Sequence, residues 1–146
     1  ILCRDNAASL FATAFLGVLD LKTGRVAYCN CGHNAPLVVS PDGAVRSLPA
    51  TGLPLALYND RSAATAALTL ASGESLVLFT DGITEAVDAR DQEFGDNRLL
   101  QEILRHRSAR AETVVARLFE AVDTFAGDAE QADDMTCIVM RLGDTP

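Results

Sequence analysis

The chain has 146 residues, 49% of them hydrophobic, which suits one domain with a sizeable core. Twelve Lys and Arg against 20 Asp and Glu leave a net charge of -8, which argues against nucleic acid or an anionic membrane as partner and favours a site that collects cations. No apolar run approaches the ~20 residues of a membrane span, and Ile1-Leu2-Cys3-Arg4 lacks the basic-then-apolar order of a secretory signal.

The residues before Leu10 read equally as a helix end or an irregular lead-in, and with no initiator Met the chain is expected to be a piece of a longer protein. Thr13 to Asp20 reads as a strand, Lys22-Thr23-Gly24 as a turn and Arg25 to Asn30 as the returning strand of a hairpin. Pro36 to Ser40, the turn Pro41-Asp42-Gly43 and Val45 to Leu48 continue an antiparallel pattern. Thr51 to Asn59, with Gly52, nearby prolines and little periodicity, reads as a connecting loop. Strands resume at Thr65 to Leu70 and, after Ser72-Gly73-Glu74, at Ser75 to Thr80.

Beyond this point the period changes. Leu99, Leu100, Ile103 and Leu104 recur at helical spacing, and Val114, Val115, Leu118, Phe119, Val122 and Phe125 do so over a longer segment. Ser108 is the expected lead-in cap of the second helix and Gly127 its stop. Met135 to Leu142 is a final strand, so the fold class is α+β with antiparallel sheet. Cys3, Cys29, Cys31 and Cys137 lie in apolar or strand-like contexts of a domain that needs no disulfide staples, and are expected as reduced thiols in the cytoplasm.

The chemistry concentrates in two acidic turns. Leu76-Val77-Leu78-Phe79 has the composition of a sheet interior and runs into Asp81-Gly82, where the glycine is expected to let the backbone turn sharply. Asp133 and Asp134 stand where the last strand begins. In an antiparallel pair the end of one strand lies beside the start of its neighbour, so the two turns could meet at one rim. Either they are simply solvated turns, or a cation neutralises them. Carboxylates without His or thiolate select Mg²⁺ or Mn²⁺ over zinc.

Phe79-Thr80-Asp81-Gly82-Ile83-Thr84-Glu85-Ala86, Gln131-Ala132-Asp133-Asp134-Met135-Thr136 and Tyr28-Cys29-Asn30-Cys31-Gly32-His33-Asn34-Ala35-Pro36 together resemble the SpoIIE-like bacterial branch of the metal-dependent, 2C-type (PPM) protein serine/threonine phosphatases. The match runs from about residue 11 to 142, within a domain that would occupy residues 1–146. The resemblance implies two antiparallel sheets sandwiched between helices. It implies phosphoserine or phosphothreonine hydrolysis by water activated between two Mn²⁺ or Mg²⁺ ions. Asp81 and Asp133 become the expected metal ligands, with Asp134, Glu85 and Gly82 as further candidates for the metal or its surroundings. Glu85 is equally a solvated carboxylate at a helix start. His33 is implied to sit in a structural turn with its ring hydrogen-bonded; the residue reading alone also allows a soft-metal trio of Cys29, Cys31 and His33.

Family members carry an earlier Asp-Gly motif whose Asp bridges both metals, and Arg4-Asp5-Asn6 does not match it. The chain is therefore expected to be the C-terminal part of the catalytic domain, lacking N-terminal strands and a helix and inactive by itself. The implied partners are a phosphorylated anti-anti-sigma-type regulator and an upstream sensor domain, with no nucleic acid and no membrane contact. A non-catalytic docking module with the same fold is the alternative.

Overall fold

The computed structural model describes residues 10–57 and 62–143; the lead-in with Cys3 and Asp5, and the far end of the 51–59 loop, lie outside the described residues. The chain divides into two compact units, Ile1–Ala35 with Ser47–Ala71 and Pro36–Arg46 with Ser72–Pro146.

In the first unit, β1 (Ala14–Leu19) and β2 (Arg25–Cys31) form the expected hairpin, paired from Ala14↔Cys31 to Leu19↔Val26. Its turn closes where the Gly24 amide donates to the Asp20 carbonyl at 2.8 Å, with Gly24 at φ 68. That positive φ suits glycine. β5 (Ala66–Thr69) pairs with the other edge of β2, giving the order β1-β2-β5. Period-2 alternation sorts the faces: Val26, Tyr28 and Asn30 are buried and Phe15 stacks on Tyr28 at 5.5 Å, whereas Leu16 and Val18 point the other way and are exposed.

In the second unit, β3 (Leu37–Val39), β4 (Val45–Ser47), β6 (Ser75–Phe79) and β7 (Cys137–Arg141) form an antiparallel sheet ordered β4-β3-β6-β7. β6 is central, and only Leu78 escapes full burial. Val77 and Phe79 pack with Ile83 and with the stripes of α2 (Gly95–Arg105) and α3 (Ala111–Ala126), through Leu99, Ile103, Leu118 and Val122. Phe94 meets Phe125 edge-on at 5.5 Å, and the Arg98 guanidinium lies 4.5 Å above the Phe125 ring while donating to the Glu93 and Phe94 carbonyls. The α+β class with two antiparallel sheets is as expected. Among the described residues, no helix is long and apolar enough to cross a membrane.

Two local expectations need correction. α3 ends at Gly127 as expected, but it starts at Ala111 after Arg110, not after a cap at Ser108. The Arg141 guanidinium donates to the Arg107 and Ala109 carbonyls, which holds that stretch outside the helix. Asp81, expected in a simple turn, opens the single helical turn α1 (Asp81–Thr84), where its carbonyl accepts from the Glu85 amide and the Thr84 hydroxyl at 2.8 and 3.1 Å.

Candidate metal-binding site

The register Phe79↔Cys137 brings the end of β6 beside the start of β7, and so brings the two acidic turns together. Thr80 staples them. Its amide donates to the Thr136 carbonyl (3.1 Å), its hydroxyl donates to the Asp134 carbonyl (3.1 Å), and the hydroxyl accepts from the Thr136 amide (2.9 Å). A Cβ placed on Gly82 would lie 2.5 Å from the Asp134 carbonyl oxygen and 3.3 Å from that of Asp133. Gly82 is not among the positive-φ glycines, so the site requires its small size where backbones touch, not its conformational freedom.

Asp81, Glu85, Asp133 and Asp134 are all exposed, and none forms an ion pair among the described residues. One oxygen of Asp133 accepts the Asp134 amide at 2.7 Å, while the Gln131 side-chain amide donates to the Asp133 carbonyl at 2.7 Å. This turn is ordered by its own bonds and leaves the second Asp133 oxygen for a cation. The donor set, hard oxygens on two backbones in contact, fits Mg²⁺ or Mn²⁺. It is an incomplete set: among the described residues, no three His, Cys, Asp or Glu side chains converge to hold an ion.

The soft-metal trio of Cys29, Cys31 and His33 does not form such a group either. The sulfurs of Cys29 and Cys31 are 3.6 Å apart, but His33 does not complete a three-ligand group with them. Its Nδ1 lies 3.4 Å from the Thr13 hydroxyl, and its backbone is clamped by Asn30, whose Oδ1 accepts from the His33 amide (2.8 Å) and whose Nδ2 donates to the His33 carbonyl (3.0 Å). Buried Asn30 also donates to the Leu48 carbonyl, so it organises the turn. Burial raises the Cys31 thiol above its ordinary value and pushes Cys137 up to about 11, which keeps both neutral at pH 7.

Sequence reasoning did not single out Thr80 as the staple or Asn30 as the clamp; a hydroxyl at the strand end and an Asn three residues before His33 were the available signals. Nor did it find the cavity of about 400 Å³ that runs from Gly82 and Asp133 along the end of α3. Its walls come from segments 30 to 50 residues apart.

The fold is that of PP2C-type phosphatase domains. It superposes on the SiaA-PP2C domain of Pseudomonas aeruginosa with a TM-score of 0.80, at 19% identity, over 95% of this chain and 56% of that one. The Mn-presoaked phosphatase domain of Bacillus subtilis SpoIIE gives 0.70 at 21% identity, over 92% and 58%. A profile of the family Stage II sporulation protein E (SpoIIE) matches residues 1–143, and the chain belongs to that family. Protein IcfG of Synechocystis sp. is 30% identical over 132 residues, 90% of this chain and 21% of IcfG. Phosphoserine phosphatase RsbU of Bacillus subtilis is 28% identical over 136 residues, 92% and 40%. The chain thus spans less than half of these curated relatives.

Proposed function

We propose that the chain forms part of a metal-dependent phosphatase that hydrolyses phosphoserine or phosphothreonine on a cytoplasmic signalling protein of the anti-anti-sigma type. The observation that carries the proposal is the backbone contact at Gly82, which leaves room for nothing larger between two carboxylate-bearing turns. Membership of the SpoIIE family, the phosphoserine phosphatase RsbU among its relatives and the Mn-presoaked SpoIIE domain among its structural neighbours support the same reading.

In this reading Asp81 and Asp133 hold Mn²⁺ or Mg²⁺. Asp134 anchors one Asp133 oxygen through its amide, Gly82 permits the close approach, and Thr80 keeps both turns in register. When bound, the ion pair supplies positive charge that acidifies water and offsets the charge of the phosphoryl group. Among the described residues no third His, Cys, Asp or Glu side chain converges with these two, so Asp81 and Asp133 by themselves are expected to bind metal weakly.

The test uses the full parent protein, with Mn²⁺ affinity measured by titration calorimetry and phosphate release from a phosphoserine protein. Asp81→Asn and Asp133→Asn should each lower turnover at least about 100-fold, beyond the 10–100-fold typical of losing an outer supporting partner. Unchanged turnover in either variant overturns the assignment.

A further inference from the structure

The cavity beside the acidic turns has a floor and a charge pattern of its own. One end is Gly82 and Asp133, and its apolar lining includes Ala86, Val122, Ala126 and Met135. Glu85, Glu93, Asp123 and Glu130 line it as well, no Lys or Arg does, and among the described residues none of these four carboxylates pairs with a cation. α3 adds to the field: its C-terminal end reaches this cavity and no basic residue occupies its last turn, so the partial negative charge of a 16-residue helix is uncompensated there. The wall carrying Glu93 is braced by the Val87↔Glu93 bridge, by the Phe94 amide on the Ala86 carbonyl at 2.8 Å and by Asp88, whose carboxylate accepts the Arg90 and Gln92 amides. Those amides hold the Asp88 carboxyl below its ordinary value.

We infer that this groove docks a segment of the phosphoprotein substrate next to its phosphorylated residue, a segment that carries Lys or Arg between small apolar residues. The inference rests on the phosphatase reading above and assigns the groove the part of the substrate that is not phosphate. A phosphoryl group is repelled by four unpaired carboxylates, whereas a lysine or arginine lays its aliphatic stem on the alanine and valine floor and keeps its charge at the acidic rim. A volume of about 400 Å³ suits a few side chains, not a folded domain. Continuity with Asp133 places the groove beside the residues assigned to the metal.

The test needs neither metal nor turnover. An unphosphorylated, fluorescein-labelled peptide of Lys and Arg interleaved with Ala and Val is titrated with the protein and followed by anisotropy. Saturable binding is expected for this peptide and none for its counterpart with Glu in place of the basic residues. Asp123→Lys with Glu130→Lys should weaken binding about tenfold or more. Asp42→Lys with Asp96→Lys makes the same change in net charge at exposed positions outside the groove and should leave affinity within about twofold. Ala126→Trp, which fills the groove without changing charge, should weaken binding as much as the groove pair, with thermal melts verifying that each variant is folded. The inference is overturned if the control pair weakens binding equally, if the groove pair changes nothing, or if folded Ala126→Trp binds like the unaltered protein. Failure here with Mn²⁺-dependent hydrolysis intact removes the docking groove alone; loss of hydrolysis with peptide binding intact counts against the phosphatase reading instead.

Discussion

Gly82 shows how a residue can stand out for one physical reason and act in the fold for another. In the sequence it follows an aspartate at the end of an apolar run and reads as a turn former. In the structure its backbone is one that any residue adopts, and what it supplies is the absence of a Cβ against the Asp134 carbonyl. Gly82→Ala should therefore push the two acidic turns apart, at about 1–3 kcal/mol of stability, the usual range for forcing an atom into packed surroundings. Denaturant melts should register that loss together with weaker Mn²⁺ binding in the parent protein. A variant with wild-type midpoint and metal affinity would mean that the contact has no bearing on the site. That the turns carrying Asp81 and Asp133 meet was legible, because one follows an apolar strand and the other precedes one, and β6 pairs with β7. Thr80 was not, because its three bonds run to Asp134 and Thr136, more than 50 residues away.

At the scale of elements, alternation and turn residues placed the seven strands of the described residues, since a two-residue period and a glycine-bearing turn are local properties of the chain. The helices were legible where the 3.6-residue stripe was long enough, as in Val114, Leu118 and Val122. α1 was not, because four residues cannot display that period. The start of α3 was misplaced because a long-range contact decides it: Arg141, on β7, reaches Ser75 and the carbonyls of Arg107 and Ala109. Replacing Arg141 by Met keeps the stem and removes the donors, so stability should fall by about 2 kcal/mol, the range for hydrogen bonds with one charged partner. Hydrogen exchange should accelerate across residues 106–113. Protection equal to that of the wild type would show that the loop holds its shape without the arginine.

On the scale of the whole molecule, the net charge of -8 works against association, while one strand works for it. Among the described residues β1 is the edge of its sheet and presents Leu16 at 70% and Val18 at 66% exposure on one face. An unpaired edge with adjacent apolar side chains is a template for pairing with another chain. Leu16→Lys with Val18→Glu should lower self-association, seen as a smaller mass by light scattering at high concentration. The melting midpoint should stay close to that of the wild type, because exposed substitutions usually change stability by no more than about 0.5 kcal/mol. An unchanged mass distribution would acquit that strand face.

By itself the sequence determined the class of secondary structure, the strand order along the chain, the core stripes of both long helices and the two acidic turns, because each follows from local period or composition. Only the tertiary structure decided that Gly82 meets Asp134, that Arg141 sets the start of α3 and that Glu85, Glu93, Asp123 and Glu130 line one groove. Those relations join residues distant along the chain, and no local pattern encodes a distance that is closed only when β6 pairs with β7 and α3 packs on the sheet.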